Sequence, residues 1–234
     1  MTVNNGISAE ALAHRYPVLF HMAEAGSWPT IAEYGLLSTT ALIELFQVQG
    51  AQRLAIESRH RPEICRISSP THGTAVIRDQ KPMNDRGLVR ALRDGLTPQD
   101  WYELLNGMVF FWVSRARLQT LLNARAYRSK RQAVLTVSTA KLLARHKERV
   151  MLSPLNSGCT KPFPHPRGRD TFLPLDEYPF EAWSQRRRSG DPVVELTVRH
   201  SVPDIRELVT RVEEIGAGEP TKVLWPAPQC SSVR

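Results

Sequence analysis

Apolar and polar positions along this chain change period repeatedly, and the changes predict strands alternating with helices rather than repeats or low complexity. Val18, Leu19 and Phe20 lead into His21 as a strand over 18–21. Trp28, Ile31 and Tyr34 then recur at helical spacing, with Ser27 placed to cap the first N–H groups and Gly35 to end the helix in a left-handed conformation. A helix over 39–48, a loop-rich stretch over 58–81, a helix over 87–94 and another opening after Thr97 follow. The apolar run 109–113 reads as a buried strand and is succeeded by an amphipathic helix over 115–125. Beyond it come a strand over 133–137, a helix capped by Ser138 and reaching His146, and a strand over 150–152. Ile205, Leu208, Val209, Val212 and Ile215 have the spacing of a final helix that Gly216 stops. The expected architecture is mixed α+β, with a split, twisted sheet around a cleft.

The segment 153–192 is rich in proline yet carries Phe163, Phe172, Leu173, Tyr178, Phe180 and Trp183, residues in which disordered linkers are poor. It is expected to be an ordered loop packed on the domain, and such loops often display binding groups. Within it Asn156-Ser157-Gly158 and Arg167-Gly168 are either points of close backbone approach or ordinary turns.

With 234 residues, 41% of them hydrophobic, the chain is long enough for one sizeable core. One domain is expected over 16–218, preceded by an extension over 1–15 and followed by a tail over 219–234. No apolar run is long enough to span a bilayer, and the first residues lack the basic and apolar regions of a signal peptide, so a cytoplasmic protein without a membrane partner is expected. The 3 cysteines are widely spaced and match no metal-ligand pattern, so no metal is expected. The chain also lacks a Gly-rich Lys-Ser/Thr phosphate loop, a Gly-x-Gly-x-x-Gly turn, a His-Glu-x-x-His helix and a Gly-x-Ser-x-Gly elbow. Kinases and ATPases of that class, conventional dehydrogenases, zincins and serine hydrolases are thereby disfavoured.

Lys and Arg number 31 against 23 acidic residues, a net charge of +8 that favours polyanionic partners. Arg186, Arg187 and Arg188 shortly precede Glu195, either as solvated loop surface or as a basic lip that engages an acceptor. Glu195 is the lone acidic residue among Val193, Val194, Leu196 and Val198, and a carboxylate in such a strand lies on a solvated edge or is held at a site. Phe110, Phe111 and Trp112 are either core or a surface on which a flat ring stacks. Arg59, Arg61 and Arg66 are candidates for holding phosphates, with Asp79 and Gln80 to orient them.

Three segments in order carry a resemblance: strand-borne His21 followed by one helix and Gly35-Leu36-Leu37-Ser38, the aromatic strand Phe110 to Trp112, and the strand that carries Glu195, followed by a helix that Pro203 can open. Together, over about 16–206, they resemble the DarT-type nucleic-acid ADP-ribosyltransferases and, more distantly, the tRNA 2′-phosphotransferases. The resemblance implies a split sheet around an NAD cleft and transfer of ADP-ribose from NAD to DNA or RNA, as a toxin or defence enzyme. It implies Glu195 as the catalytic carboxylate, His21, Ser38, Arg61, Phe110, Phe111 and Trp112 as NAD-binding residues, and Arg186, Arg187, Arg188 and Asn156 at the acceptor. An NAD glycohydrolase, an RNA 2′-phosphotransferase-like enzyme and a non-catalytic basic nucleic-acid-binding module are the alternatives. The chain departs from the family in having no certain equivalent of its phosphate-gripping arginine.

Overall fold

The structure is a computed structural model and describes residues 6–187 and 190–225. Its strands are β1 (Val18–Glu24), β2 (Leu36–Leu37), β3 (Cys65–Ser69), β4 (Gly73–Ile77), β5 (Met108–Trp112), β6 (Arg131–Ser138), β7 (Val150–Ser153), β8 (Glu195–Arg199), β9 (Ser201–Val202), β10 (Val209–Gly216) and β11 (Glu219–Trp225). A 7-stranded sheet runs in the order β11-β10-β6-β1-β5-β8-β7, with each neighbouring pair antiparallel, while β2 pairs β9 and β3 pairs β4. The mixed α+β expectation holds.

Alternate residues of each strand face opposite sides, and this sheet is covered on both. One face presents Leu19, Phe111, Leu135, Leu196 and Val212 to a core completed by Leu12, Leu142, Leu143, Ile205 and Leu208. On the other face Phe20, Met22 and Val134 pack under Leu118 and Leu122 of the helix Arg115–Leu122. Further along that side, Met108 and Met151 pack under Trp101, Tyr102 and Leu105 of the helix Pro98–Asn106. The ribbon β3/β4 and the helices Thr39–Leu45 and Gly50–Glu57 enclose a separate small core of Ile43, Phe46, Ile56, Ile67 and Ile77.

The sheet is unevenly zipped. β1 pairs β6 in continuous register from Val18 opposite Ser138 to Glu24 opposite Gln132. Against β5 its one registered pair is Phe20 opposite Trp112. Beyond Phe20 the strands part, and residues of both line one cavity. Gly35 fixes a wall of that cavity: its backbone has φ 90 and ψ 171, a region open essentially to glycine alone. A Cβ there would come within 2.6 Å of the Pro203 Cα.

Several expectations need correction. The stretch 58–81 contains the β3/β4 ribbon, in which Ile67 opposes Ala75 and Cys65 opposes Ile77; so few inward apolar residues per strand give little periodic signal. The predicted last helix is one turn, Ile205–Leu208, after which the β-branched Val209, Thr210 and Val212 enter β10 and pair with β6. Pairing along the sheet overrides the helical spacing there. The expected tail supplies β11, the sheet's edge strand, and the expected extension supplies the helix Ala9–Arg15, whose Leu12 is wholly buried. Ser27 precedes its helix without capping it through its side chain, whereas Ser38, Thr97 and Ser138 do cap theirs. No helix among the described residues is long and apolar enough to cross a membrane.

Gly35→Ala should cost about 1–3 kcal/mol, since strain at the dihedral and the clash with Pro203 add together. Urea unfolding of the two proteins checks this; an unchanged midpoint would mean that the Gly35 turn does not constrain the fold.

Candidate functional site

The cavity where β1 and β5 part has a volume of ≈ 450 Å³. His21 is its pivot. Its Nδ1 lies 2.8 Å from the Phe110 carbonyl oxygen, which only accepts, so Nδ1 carries the hydrogen and neutral His21 keeps Nε2 as an acceptor. The side chain thus spans a gap that a ladder hydrogen bond would otherwise close. Burial, reinforced by the nearby Arg78 guanidinium and opposed by the Phe110 carbonyl, lowers the imidazole pKa to about 4. The ring is therefore neutral at physiological pH, with its edge against Phe111.

Arginines also line the cavity. Arg61 is buried, and its guanidinium donates to carbonyl oxygens alone: Arg78 O at 2.7 Å, Ile56 O, and the Asn106 side-chain oxygen at 3.3 Å. Burial lowers its pKa to about 10, which leaves it charged, and among the described residues no carboxylate forms an ion pair with it. Asp79 of the same lining acts on this charge from a distance without forming an ion pair, so the guanidinium's N–H groups stay on neutral oxygens. Arg78 follows β4 into the same lining, donates to Gln132 Oε1 at 2.8 Å and stacks over the Tyr127 ring at 4.7 Å. Tyr127 in turn donates to Asp79 at 2.9 Å. Ser38 also lines the cavity, but its oxygen accepts the Ala41 N–H at 3.1 Å as a helix cap.

His21, Ser38, Arg61 and Phe110 are thus brought together, and Arg66, Asp79 and Gln80 join them. Phe111 and Trp112 are not part of the lining. Phe111 is buried in the main core, and Trp112 packs beside Phe20 and Leu118 where β1 and β5 are still paired, so of the three aromatics Phe110 alone reaches the opening.

Glu195 stands outside that lining as well. It opens β8 opposite Trp112 of β5 and Ser153 of β7, so the row Phe20, Trp112, Glu195 crosses from the last zipped pair of β1 to the carboxylate. Two strand spacings separate β1 from β8, about 10 Å. Glu195 is 4% exposed, and its Oε2 accepts the Ser157 N–H at 3.2 Å and the Ser157 hydroxyl at 2.7 Å. Burial pushes its pKa up to about 7 against the pull of the Ser157 bonds and of Arg167 and Arg117. A carboxyl group poised near neutrality is suited to exchanging protons.

The expected acceptor residues are dispersed. Arg187 is turned inward, donating to the carbonyls of Asp191 and Pro154, whereas exposed Arg186 lies over the Trp183 ring at 5.3 Å. Arg188 falls outside the described residues. Asn156 is exposed beside Ser157 and borders no part of the cavity. The sequence reading missed Arg78, although Asp79 and Gln80 beside it were singled out. Ser157 and Arg167 fall in segments expected to be close backbone approaches or ordinary turns, and their partnership around Glu195 goes unread because contacts across a long loop leave no periodic trace.

The two shifted groups predict opposite pH dependences. His21 contributes stability above pH 6.5 that is lost as the pH falls through about 4, because the unfolded chain takes the proton first. Protonated Glu195 contributes stability below pH 4.5 that is lost as the pH rises through about 7. Relative to the wild type, Glu195→Gln should gain stability as the pH climbs through that window, and His21→Gln should lose less toward acid. Urea midpoints measured across pH 4–8 check both slopes, and curves parallel to the wild type would contradict them.

No curated protein matches the chain. The stretch that does find a match begins just before β1 and closes at the first residue of β10, so it takes in both the cavity and Glu195. Residues 17–209 match a family described as a family of unknown function (DUF7002), and the chain belongs to that family.

Proposed function

We propose that this chain is an NAD-dependent ADP-ribosyltransferase that binds the dinucleotide at the opening between β1 and β5 and transfers ADP-ribose to a nucleic acid. The observation that carries the reading is His21: its Nδ1 hydrogen is spent on Phe110, so Nε2 offers an acceptor to a ribose hydroxyl inside the cavity. Phe110 is the aromatic of the cavity lining, and Arg61 and Arg78 in the same lining suit a pyrophosphate.

In this reaction the bond between the ribose C1′ and the nicotinamide nitrogen breaks, and its electron pair stays with nicotinamide, which leaves neutral. Positive charge grows on the ribose as the bond lengthens, so an anion beside it stabilises the transition state more than the ground state. Glu195 is proposed as that anion and as the base that takes the proton from the attacking acceptor atom. Glu195 stands in the row of Phe20 and Trp112, two strand spacings or about 10 Å from β1. The net charge of +8 supports a polyanionic acceptor, and exposed Arg186 is the described member of the basic lip that is free to meet one.

Incubation with NAD labelled in its adenylate half, in the presence of separate DNA, RNA and protein pools, tests the proposal. Label is expected in a nucleic-acid pool. NAD consumed with no pool labelled would leave the glycohydrolase instead, and NAD neither bound nor consumed would overturn the reading. Glu195→Gln should lower turnover at least about a hundredfold with NAD binding retained. His21→Ala should weaken NAD binding about tenfold, the value of one lost hydrogen bond. Arg186→Ser should reduce the log–log salt slope of nucleic-acid binding by about 1; an identical slope would mean that this arginine touches no phosphate.

A further inference from the structure

Glu195 is held with a marked asymmetry. Both donors from Ser157, the N–H at 3.2 Å and the hydroxyl at 2.7 Å, fall on Oε2. Among the described residues no hydrogen bond reaches Oε1. Oε1 is also not among the described buried side-chain atoms left without a partner, so it keeps access to the space beside it instead of being sealed unmet in the core. One oxygen here is fixed and the other is kept open.

Ser157 is itself pinned from behind. Its carbonyl accepts Arg167 Nη1 at 2.7 Å and the Trp101 indole N–H at 3.4 Å, both from side chains that are almost wholly buried. Arg167 completes the clasp by donating to the carbonyls of Cys159 at 2.7 Å and His165 at 3.1 Å, and its guanidinium lies over the Trp101 ring at 5.7 Å. The loop therefore cannot swing Ser157 off Glu195 without breaking a charge-assisted bond to a buried cation. Arg167 and Arg117 are the charged groups acting on Glu195, whereas its sheet neighbours Trp112 and Ser153 bring no charge.

We propose that Ser157, clasped by Arg167, is a positioning residue that locks Oε2 of Glu195 and so assigns Oε1 as the oxygen that meets the ribose hydroxyl or the acceptor proton. The proposal rests on the reading of Glu195 as the reacting carboxylate. It implies that Ser157 acts on the carboxylate's charge and aim and never on substrate directly. Removing the hydroxyl takes away a bond that favours the ionised form, so the carboxyl group should hold its proton to higher pH.

The test uses the full chain labelled with carboxyl-¹³C glutamate, the Glu195 signal being the one lost in Glu195→Gln. Its titration midpoint should rise by about one to two pH units in Ser157→Ala and return toward the wild-type value in Ser157→Thr, which keeps the hydroxyl. NAD turnover measured alongside should show the acidic limb moving upward by the same amount in Ser157→Ala, with kcat reduced and KM little changed. An unmoved midpoint, or a rate lowered equally at every pH, overturns the positioning role while leaving the transferase reading intact. A wild type with no NAD turnover but with the Ser157-dependent midpoint overturns the transferase reading, and with it the role assigned to Oε1.

Discussion

The bond from His21 to the Phe110 carbonyl is the constraint on which the rest of the site depends. Two strands of one sheet normally satisfy their facing N–H and C=O groups with each other, and a parted pair leaves buried backbone groups needing partners. Here a side chain supplies the partner at the point where β1 and β5 separate, so the gap is kept open rather than collapsed. The same bond selects the tautomer and leaves the second ring nitrogen as an acceptor on a residue that lines the cavity. Protonating that nitrogen would put a charge into a buried setting that already contains Arg78, which is why the imidazole stays neutral well below its ordinary pKa.

Two further cations follow one rule. Arg61 and Arg167 are both buried, and both spend their N–H groups on carbonyl oxygens rather than on carboxylates. Dipoles hold a guanidinium in place without cancelling its charge, so each remains a source of positive potential. Arg61 directs it into the cavity, where it suits an anion. Arg167 directs it through Ser157 toward Glu195, where it offsets part of the cost of ionising a buried acid. A salt bridge at either place would have held the loop as well but would have neutralised the charge.

What the sequence disclosed was local. Helices capped by Thr97 and Ser138 and the strands carrying His21 and Phe110 could be read because their signals lie within a few residues of one another. Glu195 stood out since an acid among β-branched residues needs an explanation wherever it lies. The β3/β4 ribbon and the β10 pairing escaped because register is set by partners far along the chain, and Val209 and Val212, three apart as on a helix face, share a face of β10 only through the register shift between Val209 and Arg211. For the same reason Phe111 could not be told from Phe110 until the sheet showed which faced the opening. Ser157 and Arg167 were visible as turn residues, but their meaning comes from a carboxylate 38 positions from Ser157.

β5 ties these parts into one device. Its Phe110 carbonyl anchors His21, the Phe110 ring borders the cavity, and two residues on Trp112 sits between Phe20 of β1 and Glu195 of β8. A strand is stiff along its length, so a shift of β5 relative to β1 changes the width of the opening and the position of the Glu195 row together. The His21 ring and the poised carboxyl group thus share a single rigid reference, while the loop clasped by Arg167 sets the carboxyl group's orientation from the other side. The strand thus fixes the distance between the cavity and the acid, and the loop fixes the acid's aim.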